Sequence, residues 1–136
     1  EVLASIEYGC VIARAPLVLV MGHTNCGAVT ATVDAICGLS FNDAGCSHLK
    51  YIVDEVSPSI DGLSHFNAEQ ASEEDKIAFV NQVSERNVQH SVDAILQRSP
   101  AISEQVRNGQ AAVVGAMYDV NTGQLHCQDV NETAKA

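Results

Sequence analysis

The sequence predicts an α/β fold, a parallel-core β-sheet flanked by helices, in one domain over residues 1–136. Three observations predict it. Leu17-Val18-Leu19-Val20-Met21 is a continuous apolar run between Pro16 and Gly22, too short for a comfortable helix. Ala111 to Met117 is a second such run. Short apolar runs bounded by turn signals are the pattern of strands covered on both faces, as in parallel sheets. Between the two runs, apolar residues recur every three or four positions, which is the helical spacing.

Taken in order, Val2 to Arg14 reads as a helix with Val2, Ile6, Gly9, Cys10 and Ala13 roughly on one face, stopped by Pro16. The Leu17–Met21 strand follows, then a turn bracketed by Gly22 and Gly27, where a close backbone approach or a positive φ is expected. A helix over Ala28–Ile36 ends at Gly38 and a polar loop, Ser40 to Gly45. His48 to Val56 is helical through Leu49, Ile52, Val53 and Val56. Pro58 to Ser72 is a linker with an Asp61-Gly62 turn. Ser72 opens a long helix in a capping-box pattern with Asp75, and Ile77, Val80, Val83, Val88, Val92, Ile95 and Leu96 form its apolar stripe. Pro100 starts a shorter helix through Ile102 and Val106, closed by Asn108-Gly109. Gln124 to Cys127 is a short antiparallel partner of the second strand, after the Asn121-Thr122-Gly123 turn.

The turn after the first strand carries the candidate chemistry. His23 and Cys26 lie three residues apart at the carboxyl end of that strand, the end where open α/β sheets bind ligands. Imidazole nitrogen and thiolate sulfur are both zinc ligands, and the positive end of the following helix favours a negatively charged ligand at Cys26. A His-x-x-Cys spacing by itself fits two ordinary buried residues as well as it fits a metal pair. Cys10, Cys46 and His48 are read as packed or surface residues, as are His65 and His90.

The residues around the turn are more specific. Ile6-Glu7-Tyr8, then Pro16 through Gly22-His23-Thr24-Asn25-Cys26-Gly27-Ala28-Val29, closely resembles the β-class carbonic anhydrases. Glu85-Arg86-Asn87-Val88 is similar to that family's Glu-x-Asn-Val helix, and Ala112 to Asp119 with Thr122-Gly123-Gln124-Leu125 looks like its last core strand and hairpin. The resemblance implies zinc on His23 and Cys26, a cleft-lining phenol at Tyr8, and reversible hydration of carbon dioxide to bicarbonate and a proton. Gly27, beside Cys26, is the candidate to offer a backbone N–H to substrate. The family also implies an upstream Cys-x-Asp-x-Arg motif that supplies a further thiolate and an Asp-Arg pair. These residues lack it, so the chain reads as the later part of such a domain, with N-terminal strands missing. Without strands beside it, Leu17–Met21 is expected to be an apolar edge, and the chain to fold poorly alone. The family further implies a homodimer or higher homo-oligomer. The alternative is a non-catalytic carbonic-anhydrase-like module with a binding or regulatory role, associated with an anion transporter.

Composition sets the remaining bounds. Seven basic and seventeen acidic residues give a formal charge of −10, which argues against nucleic acid and anionic membrane surfaces as partners. No apolar run approaches the roughly 20 residues that span a bilayer. Five cysteines, Cys10, Cys26, Cys37, Cys46 and Cys127, show no disulfide-scaffold spacing, so a reducing compartment is expected, cytoplasmic or organellar.

Overall fold

The computed structural model describes residues 1–39, 45–63, 66–67 and 70–128. The predicted loop over Ser40–Gly45 and the histidine at 65 lie mostly or wholly outside them. The described residues form two compact units, one from Glu1–Gly22, Val88–Tyr118 and the segment from Gln124 onward, the other from His23–Asn87 and Asp119–Gly123.

The first unit holds the sheet. Its strands are β1 (Leu17–His23, whose last residue belongs to the second unit), β2 (Ala112–Tyr118) and β3 (Leu125–Cys127), in the order β1-β2-β3. Ala112 N–H donates to the Pro16 carbonyl at 2.9 Å, so the starts of β1 and β2 lie together and the two strands run parallel. β3 is antiparallel to β2, with Ala116, Met117 and Tyr118 opposite Cys127, His126 and Leu125. β1 stands at one edge, as the sequence predicts.

β1 is not covered on both faces. Its side chains alternate, with Val18 and Val20 turned to the core while Leu17, Leu19 and Met21 are 54%, 43% and 58% exposed. Side chains of a strand point alternately to opposite faces, and an unbroken apolar run does not reveal whether one or both faces are packed. The packed face meets a cluster of Cys10, Val92, Ile102 and Val113, with Leu3, Ile6, Ile95, Leu96 and Val106 around it. Cys10 is therefore a buried core thiol, as expected.

The first helix departs from a uniform α spiral. α1 covers Val2–Glu7, and Tyr8–Ile12 widen into a π turn. Ala13 N–H reaches back five residues to the Tyr8 carbonyl, and Ala15 N–H reaches Gly9, both at 2.9 Å. Gly9 is a weak helix former placed where the spacing gives way. Arg14 then takes φ 59°, and Pro16 bars a helical Ala15.

The second unit packs α2 (Gly27–Ile36), α3 (Leu49–Val56), a 3₁₀ turn (Ser57–Ser59) and the first part of the 26-residue α4 (Glu73–Arg98). Val29, Val33, Val56, Phe79, Val80 and Val83 form its core. Phe79 stacks on Phe66 with ring centroids 4.6 Å apart, while Ile77, placed in the apolar stripe by its spacing, is exposed. The capping box forms: Asp75 N–H donates to Ser72 Oγ at 3.1 Å, and Ser72 N–H donates to the Asp75 carboxylate at 3.1 Å. Lys76 pairs with Asp34 at 2.8 Å, and this partner holds the Lys76 ammonium above its ordinary pKa. Asn87, from the Glu85–Val88 motif, accepts the hydroxyl of fully buried Ser59 at 3.3 Å. The last helix, α5 (Pro100–Arg107), belongs to the first unit and ends at Asn108-Gly109, where Gly109 takes φ 70°.

Candidate metal centre

His23, Thr24, Asn25 and Cys26 join the end of β1 to the start of α2. Thr24 follows the strand directly, and its Oγ1 accepts the Val120 N–H at 3.1 Å. Asn25 takes φ 54°, in the left-handed region. The positive φ expected at the bracketing glycines therefore falls on Asn25, a residue type whose short polar side chain tolerates that region better than most. Its N–H donates to Asn81 Oδ1 on α4 at 3.0 Å. Cys26 is the N-cap of α2, extended at φ −70° and ψ 115°, and its carbonyl accepts both the N–H and the hydroxyl of Thr30 at 2.9 Å. The loop is thus tied at three points, two of them to distant parts of the chain.

The His23 ring fits a metal ligand. Its Nδ1 lies 2.9 Å from the Thr24 carbonyl oxygen. A carbonyl oxygen only accepts, so the proton sits on Nδ1 and the Nε2 lone pair is left for a cation. A histidine that donates its other ring N–H to a carbonyl is the usual arrangement of a zinc-bound imidazole. Cys26, half-buried against the second unit's core, offers the sulfur. These two donors have the right chemistry for zinc but make only half of a tetrahedral set. Among the described residues no group of three His, Cys, Asp or Glu side chains converges on a point, and this applies equally to Cys46 and His48.

Gly27 is the first residue of α2 and exposed, and a Cβ placed on it would meet nothing within 4 Å. Its N–H belongs to the first turn, where helices leave N–H groups without an intrahelical acceptor. Tyr8 lies in the first unit, on the π turn, and is 64% exposed. His23, Cys26 and Gly27 thus come together on one loop of the second unit. The other cysteine packed against that unit's core, Cys37, closes α2, where burial, with a contribution from Asp34, pushes its thiol pKa up.

A carbonic anhydrase family model matches residues 1–125. The chain belongs to the β-carbonic anhydrase family. It is 33% identical over 135 residues to carbonic anhydrase 2 of Mycobacterium tuberculosis, covering 94% of this chain and 56% of that one. To the carbonic anhydrase of Mycolicibacterium smegmatis it is 31% identical over 140 residues, covering 96% and 60%. Two solved β-carbonic anhydrases share its fold. CafA of Aspergillus fumigatus superposes with a TM-score of 0.73 at 24% identity, over 97% of this chain and 57% of that one. A tetrameric enzyme from Sordaria macrospora gives a TM-score of 0.69 at 17% identity, over 94% and 59%. The chain spans about half the length of the curated relatives it matches.

Sequence reasoning about this β-carbonic anhydrase chain missed the supports of the loop. Asn81 lies 56 positions from Asn25, and Val120 lies 96 from Thr24. The one available signal for Asn81 is a polar side chain directly after the buried Phe79-Val80 pair on α4.

Proposed function

We propose that the protein containing this chain catalyses the reversible hydration of carbon dioxide to bicarbonate and a proton, with zinc held by His23, Cys26 and a thiolate from outside these residues. The observation that carries this reading is the His23 ring, whose Nδ1–H is committed to the Thr24 carbonyl and whose Nε2 is left free to ligate, three residues before Cys26. Zinc with an open coordination position brings a bound water's pKa near neutrality and so supplies hydroxide at physiological pH.

The chain's own residues have separable tasks. His23 holds the metal through a neutral nitrogen, and Cys26 brings the negative charge that offsets part of the cation's. Gly27 N–H, at the start of α2, binds an oxygen of bicarbonate. Tyr8 takes the part the family resemblance gives it, a phenol that hydrogen-bonds within the cleft. Carbon dioxide and bicarbonate are the small-molecule partners, and a homodimer or higher homo-oligomer is the assembly. Its free thiols accord with a reducing compartment such as the cytoplasm.

The test uses the full-length protein. Wild type should carry about one zinc per chain and hydrate carbon dioxide, while His23→Ala and Cys26→Ser should each lose the metal and the activity. Zinc content unchanged in both variants would remove the assignment. The non-catalytic reading draws on the two-donor count among the described residues. Zinc-replete wild type with no hydration above the buffer rate would establish it instead.

A further inference from the structure

We propose that Asn81 is a positioning residue for the metal ligands, acting through Asn25. The inference rests on the zinc reading above and adds a part of the chain to it. His23 and Cys26 are separated by two residues, and one of them, Asn25, holds a φ of 54° that L side chains adopt infrequently. That dihedral is one of those that fix how the backbone passes from the imidazole to the thiol. A change to negative φ would redirect the chain between His23 and Cys26.

The bond that fixes the peptide plane on the N-terminal side of this dihedral comes from α4. Asn81 Oδ1 accepts the Asn25 N–H at 3.0 Å, 56 residues away in sequence. Asn81 is half-buried, flanked on α4 by Val80, which is in the second unit's core. The loop's other ties act elsewhere. Val120 holds Thr24, before the left-handed residue, and Thr30 holds the Cys26 carbonyl, after it. Among the described residues, the Asn81 bond is the one made at Asn25 itself. Partners one shell beyond metal ligands commonly change metal affinity by about 10–100-fold when removed.

The experiment compares Asn81→Leu and Asn81→Asp with wild type in the full-length protein. Leucine has nearly the same shape and no acceptor, and aspartate keeps an oxygen at the same reach. Three quantities are read: zinc affinity by competition with a chelator, the thiolate-to-metal absorption of the cobalt-substituted protein, and the melting midpoint of the metal-free protein. Asn81→Leu should bind zinc at least about tenfold more weakly and shift the cobalt spectrum. Asn81→Asp should recover both. Wild-type affinity and spectrum in Asn81→Leu would overturn the proposal. So would an aspartate variant that fails to recover them, or losses that follow the metal-free melting midpoint alone, since those mark a structural role. His23→Ala and Cys26→Ser run beside them: if zinc stays bound in both, the zinc reading itself has failed, and the Asn81 proposal falls with it.

Discussion

Ser99 Oγ donates to the Glu7 carboxylate at 2.6 Å and accepts the Ile102 N–H at 3.2 Å, joining residues 92 positions apart. Ser99 is fully buried, and it is the N-cap of α5. One hydroxyl thus ends one helix and anchors the last residue of α1, immediately before the π turn that carries Tyr8. Replacing it with alanine removes a cap and strips a partner from a half-buried carboxylate. Ser99→Ala should lose about 1–2 kcal/mol of stability, read from urea unfolding midpoints. Glu7→Gln keeps an acceptor oxygen and should lose less. Equal losses in the two variants would mean that the cap contributes little and the carboxylate charge dominates.

Gly115 is needed for space. It lies inside β2, where a Cβ would overlap Gln128 Oε1 and come within 2.8 Å of Val88 Cγ1. The Gln128 side chain has a flexible end, but Val88 is buried on α4 and has little room to give. Gly115→Ala should destabilise the chain by about 1–3 kcal/mol, the range for overpacking a filled site. Combining it with Val88→Ala should recover part of that loss, and a double mutant that is less stable than the sum of the two singles would remove the steric explanation.

Part of this architecture is legible in the residues. The β1–turn–α2 unit follows from an apolar run, a turn and a helical period. The α4 start follows from Ser72 and Asp75, and the β2–β3 hairpin from Asn121-Thr122-Gly123. Each of these is local chemistry, written within a few positions. What escaped is non-local or a matter of degree. The coverage of Leu17, Leu19 and Met21 depends on what packs against each face, and their apolar character is the same in either case. The α-to-π change at Tyr8 is not marked by any local signal beyond Gly9, a weak helix former inside the turn. His23 and Cys26 are legible as a pair, because strand end and helix start fix them. The contact of the His23 ring with the Thr24 carbonyl and the hold of Asn81 on Asn25 arise only in the folded chain.

The capping box makes a pH-dependent prediction. The Ser72 hydroxyl, and after it the Ser72 N–H, hold the Asp75 carboxyl below its usual pKa. The folded chain then binds this proton less readily than the unfolded one. The resulting stabilisation is present above the ordinary aspartate value of about 3.9 and is lost as pH falls through the depressed value. Asp75→Asn should therefore melt below wild type at pH 7, and the gap should close under acid. A gap that is constant from neutral to acidic pH would show that the charge on Asp75 is not what stabilises the start of α4.

Gly27 allows its N–H to be removed without disturbing the fold. Proline is favoured at the first position of a helix, where the missing N–H has no intrahelical acceptor in any case. The residue before a proline must be extended, and Cys26 already is, at φ −70° and ψ 115°. The space around Gly27 is open, with nothing within 4 Å of a Cβ. Gly27→Pro should fold and keep its zinc. If this N–H binds an oxygen of bicarbonate, as proposed, the variant should bind bicarbonate about tenfold more weakly, the loss of one hydrogen bond to a charged group. Gly27→Ala, which keeps the N–H, should bind as wild type does. Unchanged bicarbonate affinity in a folded, zinc-loaded proline variant would take the N–H out of the mechanism. Equal weakening in both variants would point to the side of the turn that a Cβ occupies, and away from the hydrogen bond.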